Sequence, residues 1–326
     1  MHIPDGFIDA KTALAAAALS VAGVGLALRQ VRKELPPRRA PLLGLSAAFL
    51  FAAQMLNFPV VGGTSGHLLG GVLVAALLGP AAAVVVLTTV LLVQCLLFAD
   101  GGVLALGANV FNMALLGTVG GWAIFRAVSS CLPTLRGQVT AVAFAGWCST
   151  VLASLACAGQ LAWSGTLSWS VAFPAMAGIH MLIGVGEGVI SALVFLAIAR
   201  TRPDLASGAD ADLAASRAPG FIGFGLIVSL GLAMFVAPFA SPWPDGLEAV
   251  AAKLDFEHKA GAPFLPAPVS GYSMPGLKSP AVATAVAGAV GALLVFGLAL
   301  LLSRALVPSL GPSGRESVRT NGIKAN

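Results

Sequence analysis

Long apolar segments constrain this chain more than any other feature of its sequence. A helix that crosses a membrane needs about 20 mostly apolar residues, and the 326-residue chain has nine candidate segments. They lie at 10–30, 42–57, 66–80, 82–99, 104–127, 138–163, 175–200, 219–240 and 280–304. Only 10% of the residues are charged, whereas soluble domains carry about 25%. We therefore predict an all-α polytopic membrane protein.

Two of these segments, 42–57 and 66–80, are short, and the stretch between them is rich in glycine. A proline at position 80 directly follows Gly79 and interrupts the helical hydrogen bonds, so 66–80 and 82–99 are predicted to be separate helices. Irregular backbone at membrane depth is tolerated only where it is buried or lines a cavity. A cavity beside this stretch is thus the first indication of a site.

Basic residues predict the orientation in the membrane. Five of them follow the first segment: Arg29, Arg32, Lys33, Arg38 and Arg39. Because Lys and Arg accumulate in cytoplasmic loops, we predict an N-terminus on the outer face and a cytoplasmic C-terminus, in a bacterial cell (inner) membrane. The net charge of +5 is then a topology signal, so the lipid bilayer is the predicted partner and nucleic acid is not.

The polar stretch 201–218 divides the chain into two predicted units. Residues 1–200 form a seven-helix unit, and residues 219–304 form a two-helix unit that encloses an outer-face loop at 241–279. Turn residues before Leu247 predict a short amphipathic helix in that loop. The tail at 305–326 is polar and predicted to be disordered.

The first seven residues, Met1-His2-Ile3-Pro4-Asp5-Gly6-Phe7, carry no positive charge before the first apolar segment, unlike a leader. The α-amino group, the His2 amide and the His2 imidazole can bind one ion together, closing two fused chelate rings. Nitrogen donors in one plane suit Ni²⁺ or Cu²⁺. The alternative is a His2 that belongs to a frayed terminus.

His67 is the predicted fourth donor, since its loop and the N-terminus fall on the same side of the membrane. An ionisable residue within a membrane is a functional candidate by default. Alternatively, His67 lies on a helix-packing face of small residues and hydrogen-bonds a neighbouring helix. The predicted metal ligands are therefore Met1, His2 and His67.

Other polar residues inside the apolar segments have two interpretations. His180 and Glu187 are seven residues apart and share a helix face; a polar clamp between helices is favoured over a second metal site or a proton relay. Asp100, Asn109 and Asn112 indicate a capped helix start and amide clamps, or else support for ligand orientation. No GxxxxGK[ST] phosphate loop occurs in the sequence, so uphill transport would need a partner or an ion gradient.

Several separated motifs together resemble the CbiM/NikM family. They are Met1–Phe7, Asn57–Val60, Thr64–Gly70, Gln94–Gly102, Asn109–Met113 and Gly184–Gly188. Members of this family are substrate-binding membrane components of energy-coupling factor importers for cobalt and nickel. The segment Pro244-Asp245-Gly246-Leu247-Glu248 resembles the PDGLE extension of NikN-type components, so the chain looks like a fusion of the NikM and NikN types.

This resemblance implies a seven-helix unit whose inserted N-terminus binds the metal through the Met1 nitrogen, the His2 amide and imidazole, and His67. It implies transport rather than enzyme catalysis, Ni²⁺ as cargo with Co²⁺ as the alternative, and no organic cofactor. It also implies two kinds of partner, a transmembrane coupling subunit and ABC-type ATPases. Two rivals remain: a membrane metalloenzyme that uses His67, His180 and Glu187, and an ion-driven transporter with Glu187 as a relay.

Overall fold

The structure is a computed structural model and describes residues 1–207 and 211–306. Its first part, after an irregular segment at 1–9, contains α1 (Ala10–Glu34), a 3₁₀ turn (Pro37–Arg39), α2 (Ala40–Gln54), β1 (Phe58–Val60), β2 (Thr64–Gly66), α3 (Gly71–Leu78) and α4 (Pro80–Phe98). Helix α1 begins where the Asp9 carboxylate accepts a hydrogen bond from the Thr12 amide at 2.9 Å, a normal N-cap.

The middle part is a long helical run followed by a helical hairpin. The run contains α5 (Leu106–Asn109), a π-helical stretch (Val110–Gly120) and α6 (Gly121–Cys131), and the hairpin contains α7 (Leu135–Trp163) and α8 (Trp169–Thr201). The last part contains α9 (Pro203–Ser207), α10 (Ala211–Gly231) with its extension to Phe239, α11 (Gly246–Lys253) and α12 (Pro280–Leu306). Helix α9 and the start of α10 occupy much of the predicted linker at 201–218. The predicted tail lies outside the described residues from position 307 onwards.

Within the described residues, seven helices are long and apolar enough to cross a membrane. They are Ala10–Glu34, Pro80–Phe98, Leu106–Cys131, Leu135–Trp163, Trp169–Thr201, Gly220–Phe239 and Pro280–Leu306. The all-α membrane class is thereby confirmed, and large apolar side chains such as Leu14 and Val21 on α1 are exposed, as expected where a helix faces lipid.

The predicted span at 66–80 is wrong as a single helix. The chain forms a β-hairpin in which Phe58 pairs with Gly66, then runs without regular structure over 67–70, and α3 has only eight residues, about 12 Å. Gly70 and Gly79, with φ of 73° and 88°, bound α3 because each adopts a backbone conformation that terminates a helix. Helix α2, with 15 residues, is also shorter than a full span.

The two predicted units pack against each other along α2 and α12. Gly44 lies so close to the Phe296 carbonyl, and Gly291 to the Phe51 ring, that a Cβ on either glycine would collide with them. Small residues permit such close helix contact in membranes. The Ser303 hydroxyl also donates a hydrogen bond to the Ala40 carbonyl at 3.1 Å. The second unit thus forms part of the same helical body and brings its loop to the end where the N-terminus is buried.

Candidate metal centre

The N-terminal segment enters the helical body, with Met1, Ile3 and Phe7 buried. Asn109 fixes it from both sides: its side-chain oxygen accepts from the Ile3 amide at 2.8 Å, and its side-chain nitrogen donates to the Ile3 carbonyl at 3.1 Å. The residue directly after His2 therefore has a defined backbone position. Asn109 thus contacts the N-terminal segment. Asn112 does not share this contact, because its side-chain amide forms two hydrogen bonds with the Gln160 side chain.

Asp5 connects this segment to loops from both units. Its buried carboxylate accepts hydrogen bonds from the Leu104 amide at 2.8 Å and from the Phe264 amide at 3.3 Å. Gly6 follows with φ of 94°, and a Cβ there would collide with the Lys259 carbonyl. Only glycine can combine this backbone angle with such a close approach, which explains the Asp-Gly pair in the opening motif.

His67 is positioned by a buried carboxylate of α8. Glu187 is fully buried and accepts hydrogen bonds from the Leu69 amide at 2.5 Å and from the Gly70 amide at 2.9 Å. The Ser191 hydroxyl donates to the same carboxylate at 3.3 Å. Glu187 thus clamps the irregular backbone next to His67, which is the polar clamp that the sequence favoured, although its partner is the loop rather than another helix.

The predicted ligands come together at the end of this segment. The Met1 nitrogen lies 3.1 Å from His67 Nε2, and the His2 and His67 rings stack with centroids 5.3 Å apart. Two nitrogens that bind one metal at about 2.0 Å lie about 2.8 Å apart when they are neighbours in a square-planar set and about 3.3 Å apart in a tetrahedral set. The separation of the Met1 nitrogen and His67 Nε2 is therefore close to that of neighbouring ligands.

Asp100 contacts the remaining imidazole. His2 Nδ1 lies 3.1 Å from the Asp100 carboxylate, and the Tyr272 hydroxyl of the 241–279 loop donates to the other Asp100 oxygen at 2.6 Å. Within the described part of the chain, His2 Nε2 is buried without a hydrogen-bond partner. Asp100 was predicted as a helix cap or as support for a ligand. It contacts His2 Nδ1, the nitrogen that would close a chelate ring with the His2 amide, so its role in orienting a ligand stays a prediction.

Asp245 makes a contact that the sequence did not predict. Its carboxylate pairs with the Met1 amine at 2.5 Å, across 244 positions of the chain. The same side chain caps α11 by accepting from the Leu247 and Glu248 amides, while Glu248 accepts from the Asp245 amide at 2.9 Å. The PDGLE motif is therefore a capping box whose cap also reaches the N-terminus.

The surroundings determine which nitrogens carry protons before a metal binds. Burial lowers the pKa of His67 to about 3 and also lowers the pKa of His2, so both imidazoles are neutral at pH 7. Burial alone would lower the pKa of the Met1 amine too, but the Asp245 carboxylate raises it above its ordinary value. The amine is then protonated, and a metal ion that binds it must displace a proton.

His180 lies close to Met1, His67 and Asp245, and the four residues line one small cavity. Its Nδ1 is 2.8 Å from the Met176 carbonyl of the same helix, and its ring packs so closely on Gly246 that a Cβ there would collide with it. Across residues 1–207 and 211–306, no three His, Cys, Asp or Glu side chains form a group that could hold a metal. The second metal site considered for His180 and Glu187 therefore has no such group behind it.

Comparisons with known proteins place the chain in a family. The profile described as "Cobalt uptake substrate-specific transmembrane region" matches residues 2–205, more than half of the chain. The chain belongs to this cobalt uptake family. A second profile, the PDGLE domain, matches residues 219–307. The family consists of metal transport proteins, so this member is a transport protein and not an enzyme, as predicted.

Individual relatives agree with the family. A "putative fused nickel transport protein NikMN" of Archaeoglobus fulgidus is 36% identical over 310 residues, covering 93% of this chain and 98% of its own. A "putative metal transport protein" of Haloquadratum walsbyi is 41% identical over 207 residues, covering 63% of this chain and 93% of its own. The crystal structure of a truncated transition metal transporter is 35% identical, with a TM-score of 0.57, and covers 62% of this chain and 99% of its own. The predicted NikM and NikN type of fusion is thereby confirmed.

Proposed function

We propose that this cobalt uptake family member captures Ni²⁺ for an ATP-driven importer of the energy-coupling factor type. The Met1 amine, the His2 amide and imidazole, and His67 Nε2 supply four nitrogen ligands. The observation that carries this proposal is the 3.1 Å approach of the Met1 nitrogen to His67 Nε2, which brings a terminal amine and an imidazole from distant parts of the chain close enough to bind one ion.

The chemistry of the donors supports nickel as cargo. A planar set of nitrogens suits Ni²⁺, whereas Zn²⁺ prefers a tetrahedral set and Mg²⁺ or Ca²⁺ prefer oxygen ligands. The fused relative named as a nickel transport protein points the same way. Co²⁺ is the alternative cargo, in line with the name of the family, and competition between Ni²⁺ and Co²⁺ for the purified chain decides between them.

The energy source is proposed to reside in partner subunits. The family description names a substrate-specific region, and the chain itself has no GxxxxGK[ST] phosphate loop. A transmembrane coupling subunit and ABC-type ATPases would complete the importer. The rival with Glu187 as a proton relay is disfavoured because both carboxylate oxygens already accept hydrogen bonds from Leu69, Gly70 and Ser191.

The proposed orientation places the metal site at the outer face. The basic residues Arg32 and Lys33 lie in the last turn of α1, at the end opposite to the buried N-terminus. Since positive residues accumulate on the cytoplasmic side, the site opens outwards, where hydrated ions are captured. A cysteine-accessibility assay on the exposed hairpin residue Val61 checks this: labelling from outside is expected, and labelling only from inside contradicts it.

Histidine variants test the ligand set. His2→Ala and His67→Ala each remove one nitrogen donor and are expected to abolish nickel binding by the purified chain and nickel uptake by cells. His258→Ala is the matched control, because His258 is exposed on the 241–279 loop, and it is expected to bind and transport normally. Full nickel content in either His2→Ala or His67→Ala overturns the assignment.

Loss of ATP hydrolysis tests the energy source. If the partner ATPase is inactivated by replacing its phosphate-loop lysine, nickel uptake is expected to stop while binding by this chain persists. Uptake that continues without ATP hydrolysis but collapses with the proton gradient favours the stand-alone transporter instead.

A further inference from the structure

An apolar groove runs along the helical body at the end opposite to the candidate metal centre. Its volume is about 340 Å³, within the range of small-molecule sites. Three helices line it over similar lengths: α2 at 42–49, α8 at 194–201 and α10 at 221–228. Each stretch rises about 10 Å, which is most of one leaflet, since the hydrocarbon core of both leaflets is about 30 Å thick. The groove therefore matches much of the length of one acyl chain.

The groove opens sideways, towards lipid. Buried side chains of α2 and α3 form its floor, whereas its rim includes Ala197 of α8 and Phe224 of α10, which are both exposed. Both of these helices are candidate membrane spans. Ser46 and Thr201 are the two polar side chains in the described lining. Because an apolar cavity does not hold water, a hydrocarbon chain is the occupant that suits this lining.

A second cavity with a partly polar wall adjoins one end of the groove. Its volume is about 130 Å³, and Leu78 at the end of α3 lies in the walls of both cavities. Arg39, Gln30 and the start of α4 at Pro80 line it, and Glu34, which also lines it, accepts a hydrogen bond from Gln30 at 3.0 Å. A guanidinium binds phosphate oxygens in a fixed geometry. The cavity can therefore hold the phosphate of a lipid whose chain lies in the groove.

Positive charge predominates at this end of the groove. Residues 29–39 and 200–204 contain seven basic residues, Arg29, Arg32, Lys33, Arg38, Arg39, Arg200 and Arg202, and two acidic ones, Glu34 and Asp204. Asp204 is paired with Arg202 at 2.7 Å, and the Arg202 guanidinium lies 5.0 Å from the centre of the Phe221 ring in the groove wall. Basic pockets between membrane helices bind anionic headgroups, so the charge complements an anionic lipid.

We propose that the groove and the adjoining cavity together bind one anionic phospholipid, with an acyl chain in the groove and the phosphate beside Arg39. A transmembrane helix is the other apolar occupant to consider, but a helix about 10 Å wide occupies about 800 Å³ over the same length, more than twice the volume of the groove. The bound lipid lies between α8 of the first unit and α10 of the second, so it stabilises the packing of the two units. This role is separate from metal capture.

Two pairs of variants of the full chain test the two parts of the site. Ala197→Trp fills the groove from its rim, and because Ala197 is exposed, the larger side chain does not enter the core. Its matched control is Val189→Trp, about two turns earlier on α8, at a residue that is 52% exposed and is not among the described lining residues. Arg39→Gln removes the charge beside the phosphate. Its control is Arg136→Gln, at an exposed arginine of α7 that is absent from the described lining of both cavities.

The first measurement is lipid binding by the purified chain, detected by native mass spectrometry with dioleoylphosphatidylglycerol or dioleoylphosphatidylcholine, which share their acyl chains. The native chain and both controls are expected to bind one phosphatidylglycerol in preference to phosphatidylcholine. Binding is expected to be about 5-fold weaker in Arg39→Gln, since one basic residue contributes about that much at an anionic headgroup, and to be lost in Ala197→Trp. Equal binding of the two lipids by the native chain, or native binding of phosphatidylglycerol by either test variant, overturns the proposal.

The second measurement is the melting temperature of the purified chain in detergent with added phosphatidylglycerol. A ligand that binds only the folded state raises this temperature, so a rise is expected for the native chain and for Val189→Trp, and none for Ala197→Trp. An equal rise in Ala197→Trp contradicts the site. If the native chain binds no lipid and Ala197→Trp instead prevents copurification with a coupling subunit, the groove binds a partner helix and the lipid proposal is wrong.

Discussion

His67 and the Met1 amine lie 3.1 Å apart, yet different parts of the molecule hold them. His67 belongs to a loop that Glu187 of the first unit holds through two buried hydrogen bonds, from the Leu69 and Gly70 amides. The Met1 amine pairs with Asp245 of the second unit, on a loop at the surface. One donor is therefore fixed by the body of the protein, and the other is held by a group that a bound metal has to replace.

This difference shows that the two fused units contribute in different ways to the proposed site. The first unit supplies all the proposed ligands and positions the imidazoles. The second unit supplies no proposed ligand, but its Asp245 pairs with the Met1 amine in the metal-free form. Removing a contact that holds the His67 loop is expected to weaken nickel binding. Removing the contact between Asp245 and the Met1 amine is expected to destabilise the metal-free form.

The largest effect is expected from the clamp on the His67 loop. Glu187→Ala leaves the Leu69 and Gly70 amides buried without an acceptor, which costs about 1–3 kcal/mol for each, and we expect nickel affinity to fall about 10- to 100-fold, as it does when ligand orientation is lost. Titration with Ni²⁺ measures this.

Glu34→Ala is the control for the clamp, since Glu34 is an exposed glutamate at the end of α1. Glu187→Gln, which retains one acceptor oxygen, is expected to be intermediate. Native affinity in Glu187→Ala would mean that the His67 loop holds its position without the clamp, and the contrast between the two donors would disappear.

A smaller effect is expected from Asn109, which acts on the segment next to His2. Asn109→Ala removes both hydrogen bonds to Ile3, so nickel affinity is expected to fall about 10-fold. Asn112→Ala is a matched control three residues away, because it breaks an equally buried pair with Gln160 that does not touch the segment. It is expected to lower the free energy of unfolding by about 1–3 kcal/mol and to leave nickel affinity unchanged; equal affinity losses contradict the assignment.

The smallest effect is expected from Asp245→Asn, and only in the metal-free form. Asparagine still caps α11, but the charged contact with the Met1 amine is lost, which costs about 1.5–3 kcal/mol. Because the amine is a metal ligand in the loaded form, that form is expected to lose much less stability. The nickel-induced rise in melting temperature is thus larger in Asp245→Asn than in the native chain or in Asp255→Asn, and an unchanged rise contradicts this account.

The apolar segments and the position of a proline predicted part of the observed fold. Seven of the nine predicted segments correspond to the long helices of the described residues, and Pro80, predicted to interrupt a helix, falls at the observed start of α4. The helix expected at 66–80 is broken because Glu187, more than 100 positions away, satisfies the Leu69 and Gly70 amides that would otherwise require regular structure. Spacing along the chain contains no signal for such a distant acceptor.

The same reason explains which site contacts were predictable. Met1, His2 and His67 followed from donor chemistry and from the resemblance, and the structure brings them together. Asp245 was recognised as part of a motif, and its role as a helix cap follows from local spacing. Its contact with Met1, and that of Tyr272 with Asp100, depend on how α12 packs on α2, which no local pattern specifies.

The position of the α-amino group provides the most direct test of the central claim. One residue added before Met1 leaves every side chain in place and moves only the amine away from His67. We predict that the purified native chain contains about one nickel ion, measured by mass spectrometry of the bound metal, and that the extended chain contains none. Equal nickel content in the two chains would contradict the proposal that the Met1 nitrogen is a ligand.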